Sequence, residues 1–349
     1  LTSEFYQCYI DEMAPLLLQT YKERYAEGGL TDSMNEAVVS LLYKLNNATD
    51  EQQQTKGGRE NWNNYRPVSC LNIDYKIYAK LITQHLEDAI PHVISAAQLG
   101  FQPNKYIGEA TMLAQLVTSR CHQKKLPGLM MLVDGEKAYD LVQHDWLREV
   151  MGEMGFPAEF IDLALLMYAA PSSSMKVNGW VSEPFTAKNA VRQGCPCSCY
   201  LYIISLQPLL SMIECDERLE GISAPGLNGR GQSEIRYSAF ADDLMLYLNN
   251  YAQLATVHSL MALYERASGA ATNWNKTIGI RVGTLQGVPP DDTVPSEMRD
   301  IKWHDASTAP PQRYLGVWLG GNKQVQTEFA KQISGKLLHR INHNAKRRP

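Results

Sequence analysis

The chain has 349 residues, and its 33 lysines and arginines against 37 aspartates and glutamates give a formal net charge of −4. A content of 44% apolar and 20% charged residues is typical of a folded globular protein and argues against an intrinsically disordered one. The length allows two or more subdomains with a sizeable core. The acidic balance argues mildly against nucleic-acid binding, although a local basic groove can exist on an acidic protein.

No apolar stretch of about 18 residues is visible, and residues 1–4 show no basic segment before an apolar one, so neither a membrane span nor a signal peptide is predicted. The first residue is not Met, which suggests a piece of a longer protein. Seven scattered cysteines do not indicate a disulfide framework and favour an intracellular location, in the cytoplasm or the nucleus. Cys195, Cys197 and Cys199 have no matching second pair of ligands, so zinc is not predicted.

The first 126 residues are predicted to be largely helical. Apolar residues at helical spacing predict helices over residues 5–27, 74–85 and 109–122. Pro15 should kink or break the first helix, because a proline inside a helix removes one backbone hydrogen bond and crowds the preceding turn. Residues 38–45 predict a short strand. The polar stretch 46–64, rich in Gln, Gly and Asn, predicts a loop that looks like an insertion.

Helices and strands are predicted to alternate in the middle of the chain. Further helices are predicted over residues 146–154, 157–168 and 200–210. Asp145 is the expected N-cap of the first of these, and Asn178-Gly179 predicts a hairpin turn. Apolar runs predict strands over residues 129–133, 235–239 and 244–248. The first run is continuously apolar, which is typical of a strand buried on both faces.

Phe240-Ala241-Asp242-Asp243 places two adjacent carboxylates in a tight turn between two of these strands. Neighbouring anions repel, so the pair needs compensating positive charge, most simply a divalent cation. The pair alone leaves an ordinary hairpin turn open, because aspartate also favours turns by bonding its own backbone. Asp134, at the end of the 129–133 strand, adds a second acidic site. Together the three aspartates suit two Mg²⁺ ions, with Mn²⁺ as an alternative, about 4 Å apart in a phosphoryl-transfer centre.

Several segments of the chain resemble the motifs of one protein family. They are residues 64–69 with 75–77, 98–101, 133–140, 191–196, 240–243, 269–276 and 313–316. Their order and spacing resemble those of reverse transcriptases of the non-LTR (LINE-type) retrotransposons, and the resemblance covers nearly the whole chain. It implies an α+β fold with right-hand polymerase architecture, in which helical fingers precede a palm built on an antiparallel sheet and the thumb is largely missing.

The resemblance also implies the organisation and the partners of the chain. It divides the chain into an N-terminal helical extension at 1–35, fingers at 36–126, a palm with interleaved finger elements at 127–320, and the start of a truncated thumb or connection at 321–349. The implied activity is RNA-directed DNA polymerase, with an RNA template, a DNA primer and deoxynucleoside triphosphates as partners and no membrane. Endonuclease and thumb regions would be encoded by a longer parent protein.

Individual site residues are implied only by their match to the family motifs. Asp134, Asp242 and Asp243 would be the catalytic metal ligands. The other implied roles are triphosphate contacts at Lys44 and Arg66, a bulky residue under the incoming sugar at Tyr139, contacts to the nascent base pair at Gln193 and Gly194, a general acid at Lys276, and primer positioning at Tyr314, Leu315 and Gly316. Each position also has a plain reading, as a core aromatic, a solvated cation or an ordinary turn.

The sequence departs from the family pattern in several places, which keeps other functions open. Lys105 stands where the family more often has Arg, Gly135 replaces an aromatic residue, and Cys197 and Cys199 replace Leu and Pro. These changes and the insertion allow an inactive relic or a nucleic-acid-binding module. A second enzyme class, an RNA-dependent RNA polymerase or a group II intron maturase, would use the same palm chemistry.

Overall fold

The computed structural model describes residues 1–44, 54, 57–225, 232–299, 301–307, 312–320, 327 and 331. About half of the predicted insertion at 46–64, residues 46–53 and 55–56, therefore lies outside the described residues. The predicted start of a thumb at 321–349 lies almost wholly outside them.

The described residues form ten α-helices, two short 3-10 helices (Trp62–Asn64 and Leu166–Tyr168) and fourteen strands. The helices are α1 (Ser3–Cys8), α2 (Ile10–Glu27), α3 (Asp32–Asn35), α4 (Ile73–Val93), α5 (Ile107–Lys124), α6 (His144–Glu153), α7 (Ala158–Leu165), α8 (Ser198–Cys215), α9 (Gln253–Ser268) and α10 (Ser296–Arg299). The strands are β1 (Glu36–Tyr43), β2 (Tyr65–Leu71), β3 (Pro127–Val133), β4 (Ser172–Val177), β5 (Trp180–Val181), β6 (Phe185–Thr186), β7 (Ile222–Pro225), β8 (Gln232–Ile235), β9 (Tyr237–Phe240), β10 (Asp243–Leu248), β11 (Ile278–Gly283), β12 (Lys302–Asp305), β13 (Gln312–Tyr314) and β14 (Val317–Leu319). Helices and sheets are thus mixed, as an α+β fold requires.

A five-stranded sheet, the central sheet, has the strand order β12-β11-β3-β10-β9. Its neighbours are antiparallel except β11 and β12, which are parallel. The predicted strands at 129–133 and 244–248 are confirmed as β3 and β10, side by side in the middle of this sheet.

Both faces of the central sheet are covered. Side chains alternate between the two faces of a strand, so Leu129 and Met131 belong to one core cluster and Met130 to another. The larger cluster also contains buried residues of α4, α6, α8 and α9. Residues of α5 and of the β13–β14 hairpin build the smaller one. The continuous apolar run in β3 is therefore explained by burial on both sides.

A second sheet, the lateral sheet, has the strand order β2-β1-β4-β5, with β6 also paired to β4. The strands β1 and β2 are antiparallel, whereas β1 and β4 are parallel. The predicted hairpin at Asn178-Gly179 is confirmed as the turn between β4 and β5. The lateral sheet thus joins a hairpin from early in the chain to strands that follow α7.

Helix α8 is longer than the predicted 200–210 segment and apolar on most sides. Within the described part of the chain it alone is long and apolar enough, by length and composition, to cross a bilayer. The expectation that no stretch reaches this threshold was therefore wrong. Most of its side chains are buried, and Leu201, Ile203 and Leu210 are fully buried within the larger core cluster. A helix that is hydrophobic all round is what the centre of a large core requires.

Two helix boundaries differ from the sequence predictions. Helix α2 continues through Pro15, and the interruption lies at Tyr9, whose φ of −116° and ψ of 39° separate α1 from α2. Pro15 is tolerated because it stands in the second turn of an exposed helix, where water can bond the freed carbonyl. Gln143, not Asp145, is the N-cap of α6. Asp145 lies in the first turn, where its negative charge still favours the helix dipole.

The predicted strand at 235–239 is divided between two sheets. Strand β8 ends at Ile235 and β9 begins at Tyr237. Arg236, between them, donates hydrogen bonds to the carbonyl oxygens of Glu214 and Asp216 at the end of α8, at 2.7 and 2.8 Å. A long-range capping contact of this kind leaves no periodic signal in the sequence.

Leu246 tests how far the fold depends on the central sheet. Its side chain is fully buried in β10, so Leu246→Ala should lower the free energy of unfolding by about 2–5 kcal/mol. Leu81→Ala is the matched control, because Leu81 is 45% exposed on α4, and it should cost well under half as much. Urea denaturation followed by circular dichroism measures both values. Equal costs at the two positions would contradict the assignment of β10 to the core.

Candidate active site

The register of β3 against β10 brings two acidic segments to one end of the central sheet. Val133 pairs with Leu244, so Asp134 follows β3 at the position opposite Asp243, the first residue of β10. Asp242 precedes Asp243 in the two-residue turn that closes the β9–β10 hairpin. The structure thus brings the three predicted aspartates together.

The charges of these carboxylates act on one another. Burial, then Asp242, then Asp134 raise the pKa of Asp243 to about 6. Burial also raises the pKa of Asp242; Asp134 adds to the increase, while a backbone hydrogen bond and Arg66 oppose it. Both side chains remain accessible to solvent, so they occupy a recess in the surface rather than the core. Such mutual repulsion is what a bound cation would relieve.

Cations from distant parts of the sequence face the same recess. The Nζ of Lys276 lies 3.6 Å from Oδ2 of Asp134. Partial burial, Arg66 and Lys276 lower the pKa of Lys44, and Asp140 and Asp134 oppose this change. Lys44 is therefore within electrostatic reach of the acidic recess although it belongs to the end of the lateral sheet. The predicted cations at 44, 66 and 276 lie around one site.

Tyr139 is fixed by two contacts. Its ring stacks on Tyr202 with centroids 4.9 Å apart and an angle of 12° between the planes. Its hydroxyl donates to Sγ of Cys199 at 3.6 Å. Burial is the largest cause that raises the Tyr139 pKa, and Asp242 contributes as well, so the ring lies near the carboxylates. The plain reading as a core aromatic and the reading as a site residue are both consistent with this half-buried position.

The segment with Gln193 and Gly194 connects the site to the lateral sheet. The carbonyl of Gln193 accepts a hydrogen bond from Ser69 N at 2.7 Å. Gly194 has φ of +112°, and an added Cβ would stand 2.6 Å from the Ser69 oxygen, so no other residue fits there. The neighbouring Arg192 points into the protein and donates to the carbonyl oxygens of Asn35 and Ser172. Arg192 is thus a structural residue.

The 314–316 segment is a tight hairpin turn, as its plain reading predicted. Leu315 and Gly316 have φ of +45° and +85° and join β13 to β14. Tyr314 is only 1% exposed and packs in the smaller core cluster, behind the central sheet. Gly316 is exposed, Leu315 is partly buried against the same cluster, and Tyr314 can act only by supporting the turn.

Asp140 is a charged site residue that the sequence revealed only as the last position of the 133–140 motif. Burial raises its pKa, while Lys137, Lys44 and a hydrogen bond with Gln193 oppose the increase. It therefore links the segment after β3, the lateral sheet and the 193–194 segment. The signal in the sequence is an acid six residues after Asp134, but nothing local indicates its partners.

Comparisons with known proteins bear on this site. The uncharacterized 149 kDa protein of transposon TX1 from Xenopus laevis is 31% identical over 98% of this chain and 24% of its own length. The retrovirus-related Pol polyprotein of the type-1 retrotransposable element R2 from Popillia japonica is 26% identical over 66% of this chain and 32% of its own length. The family model described as reverse transcriptase (RNA-dependent DNA polymerase) matches residues 54–319. The chain belongs to the reverse transcriptase family.

These relatives make it a reverse transcriptase domain of the non-LTR retrotransposon type. The domain spans about a quarter to a third of the length of the curated relatives it matches. Among solved structures, apo telomerase from Candida tropicalis has a TM-score of 0.49 and 13% identity, over 79% of this chain and 50% of that chain. That similarity is too low to bear on function.

The carboxylates fit the divalent metal ions that reverse transcriptases generally use. Within the residues that the structure describes, no group of three or more acidic, histidine or cysteine side chains forms a ready-made metal cage. Magnesium does not require one, because it is usually held by one or two carboxylates together with substrate phosphates and water. The oxygen donors of Asp134, Asp242 and Asp243 and their mutual repulsion suit such an ion.

The raised pKa of Asp243 predicts that the free energy of unfolding depends on pH. Its folded value of about 6 lies above the ordinary 3.8, so between these values the folded chain binds a proton that the unfolded chain has lost. The free energy of unfolding should therefore fall as the pH rises from about 4 to 6, and the loss should persist above 6. In EDTA at pH 8, Asp243→Asn should stabilise the fold by about 1 kcal/mol, a value reduced for solvent screening.

Urea titrations at pH 4 and pH 8 measure this difference. The gain from Asp243→Asn should disappear at pH 4. Asp216→Asn is a control of opposite sign, because the hydrogen bond from Arg218 lowers the pKa of Asp216. A gain for Asp243→Asn that is equal at both pH values would show that repulsion among the carboxylates is not its cause.

Proposed function

We propose that this domain catalyses RNA-templated transfer of deoxynucleotides to the 3′ end of a DNA primer. The observation that carries the proposal is the β3–β10 register, which sets Asp134 opposite Asp243 with Asp242 in the adjoining turn. Membership of the reverse transcriptase family supports the reaction class. The RNA template, the DNA primer and the deoxynucleoside triphosphates are parts of the proposal.

Asp134, Asp242 and Asp243 would hold two Mg²⁺ ions, for which Mn²⁺ could substitute. When bound, such ions would activate the primer hydroxyl and neutralise charge on the leaving pyrophosphate. The primer 3′ oxygen would form a bond to the α-phosphorus and lose its proton to solvent water, and the bond to the pyrophosphate oxygen would break. Lys276, whose Nζ lies beside Asp134, would give a proton to the departing pyrophosphate.

The lateral sheet would supply the triphosphate contacts. Lys44 and Arg66 project from the same face of the β1–β2 pair, because Leu42 pairs with Arg66 and side chains alternate along a strand. Arg66 offers a planar fork for phosphate oxygens and Lys44 a point charge. The electrostatic effect of Arg66 on Asp242 supports their position across the recess from the aspartates.

The domain would act as part of a longer protein. Because it spans only about a quarter to a third of its curated relatives, an endonuclease and a thumb encoded elsewhere in a parent chain are consistent with the comparison. Additional backbone contacts from such a thumb would hold the primer–template duplex, since phosphate contacts supply most of the affinity for nucleic acid.

Replacement of Asp242 tests the proposed reaction. Asp242→Asn should lower the rate of deoxynucleotide incorporation on an RNA template by at least about 10³-fold, because each metal ion contributes several kcal/mol of charge stabilisation. Primer extension with Mg²⁺ measures the rate, and Asp88→Asn, on the exposed side of α4, is the matched control. A near wild-type rate in Asp242→Asn would refute the assignment. A wild type that incorporates nothing, even with excess primer–template, would favour the relic.

Replacement of Tyr139 tests sugar selection. A ring beneath the incoming sugar would collide with a 2′-hydroxyl, so Tyr139→Ala should reduce discrimination against ribonucleotides by about 10²-fold. Tyr139→Phe is the control, because it keeps the ring that stacks on Tyr202 and loses only the hydroxyl contact to Cys199. The ratio of kcat/KM for deoxy- and ribonucleotides measures the effect. Unchanged discrimination in Tyr139→Ala would leave Tyr139 as a core aromatic.

A further inference from the structure

The turn that carries Asp242 contains a residue in an unfavourable backbone conformation. Ala241 has φ of +56°, in the left-handed region that residues with a Cβ seldom adopt. It is buried, and it immediately precedes Asp242. A change in the backbone conformation of Ala241 would therefore redirect the carboxylates that follow it. A conformation of this kind persists only when surrounding groups hold it in place.

Gln98 is the group that holds it. Its Oε1 accepts hydrogen bonds from Ala241 N at 2.9 Å and Gly100 N at 2.8 Å. Its Nε2 donates to Ala241 O at 3.1 Å. One amide thus binds both backbone groups of the strained residue, and only this orientation satisfies all three contacts. Gln98 is fully buried and lies 143 residues away from Ala241 in the sequence.

The segment around Gln98 is attached to the same hairpin. Leu99 N donates to Ala239 O, and Ala239 N donates to Ala97 O, so the segment runs parallel to β9. A Cβ at Gly100 would overlap the backbone nitrogen of Ala241. The segment therefore packs directly against the turn, and this contact holds the Gln98 amide within hydrogen-bonding distance of Ala241.

We propose that Gln98 is a positioning residue for nucleotidyl transfer, which fixes Ala241 so that Asp242 and Asp243 point into the recess. Gln98 itself does not touch substrate. The inference rests on the proposed function, because its consequence for turnover requires that these aspartates carry the reaction. A plain core residue would fill space without bonding both the N–H and the C=O of one strained residue.

The test combines Gln98→Met, which keeps the length of the side chain and removes the amide, with Ala241→Gly. Gln98→Met should lower kcat for deoxynucleotide incorporation by about 10- to 100-fold, as is usual when a residue that orients metal ligands is lost, and should change KM for primer–template little. In the Ala241→Gly background the same change should cost at least about fivefold less, because glycine adopts positive φ without support.

Hydrogen exchange gives a readout that does not depend on activity. Exchange at residues 240–243 should accelerate at least about 10-fold in Gln98→Met, because the Ala241 amide loses its acceptor. Gln102→Met is the matched control: Gln102 Nε2 donates to the carbonyl oxygens of Ser95 and Gln98 and does not reach the turn. It should change neither exchange at the turn nor kcat.

Two results would overturn the proposal. Exchange at 240–243 within about twofold of wild type would show that Gln98 does not hold the turn. An equal loss of kcat in both backgrounds, with a parallel fall in Tm, would make Gln98 a core residue only. If the wild type incorporates no deoxynucleotide, the proposed function fails, and exchange at the turn alone then decides the role of Gln98. If Gln98→Met does not fold, Gln98→Asn, whose amide is too short to reach Ala241, replaces it.

Discussion

The pairing of β3 with β10 is the constraint on which the rest of the structure depends. Both strands are buried on both faces, so their side chains are divided between two core clusters. A shift of one residue would move every side chain of a strand to the opposite face and disrupt both clusters at once. Hydrophobic packing therefore fixes the register in which Val133 meets Leu244. The opposition of Asp134 to Asp243 follows from that register, so packing in the core determines the geometry of the charged site.

The site needs a second rigid contact, because two of its cations, Lys44 and Arg66, come from the lateral sheet. Gly194 approaches the backbone of Ser69 so closely that a side chain would be excluded, and Gln193 accepts a hydrogen bond from the same residue. This contact ties β2, and with it the face that carries Lys44 and Arg66, to the segment beside Asp140. The lateral sheet thus contacts the 193–194 segment through backbone atoms beside the recess.

Much of the fold could be predicted because its signals are local. The apolar run of β3, the hairpin at Asn178-Gly179 and the paired carboxylates of the 240–243 turn each have a pattern that a few neighbouring residues define. The burial of Tyr314 behind the sheet and the amide contacts of Gln98 could not be predicted, because the partners are distant in sequence. The length of the apolar helix α8 was underestimated for the same reason: only the surrounding helices show that it is a core helix.

The net charge of −4 argued against a nucleic-acid enzyme, and the family assignment shows why that argument is weak. What matters is the local balance of charge. In the recess three carboxylates lie near three cations. Burial, Asp242 and Asp134 nevertheless raise the pKa of Asp243 to about 6. The protein's own cations therefore do not fully neutralise the aspartates.

Such a site opposes folding when no cation is bound, and any cation that binds there stabilises the fold, as ligand linkage requires. Sites of this kind trade stability for function. The same repulsion that weakens the isolated domain would thus supply its affinity for divalent ions, and the tightly held Ala241 turn prevents the carboxylates from moving apart to relieve it.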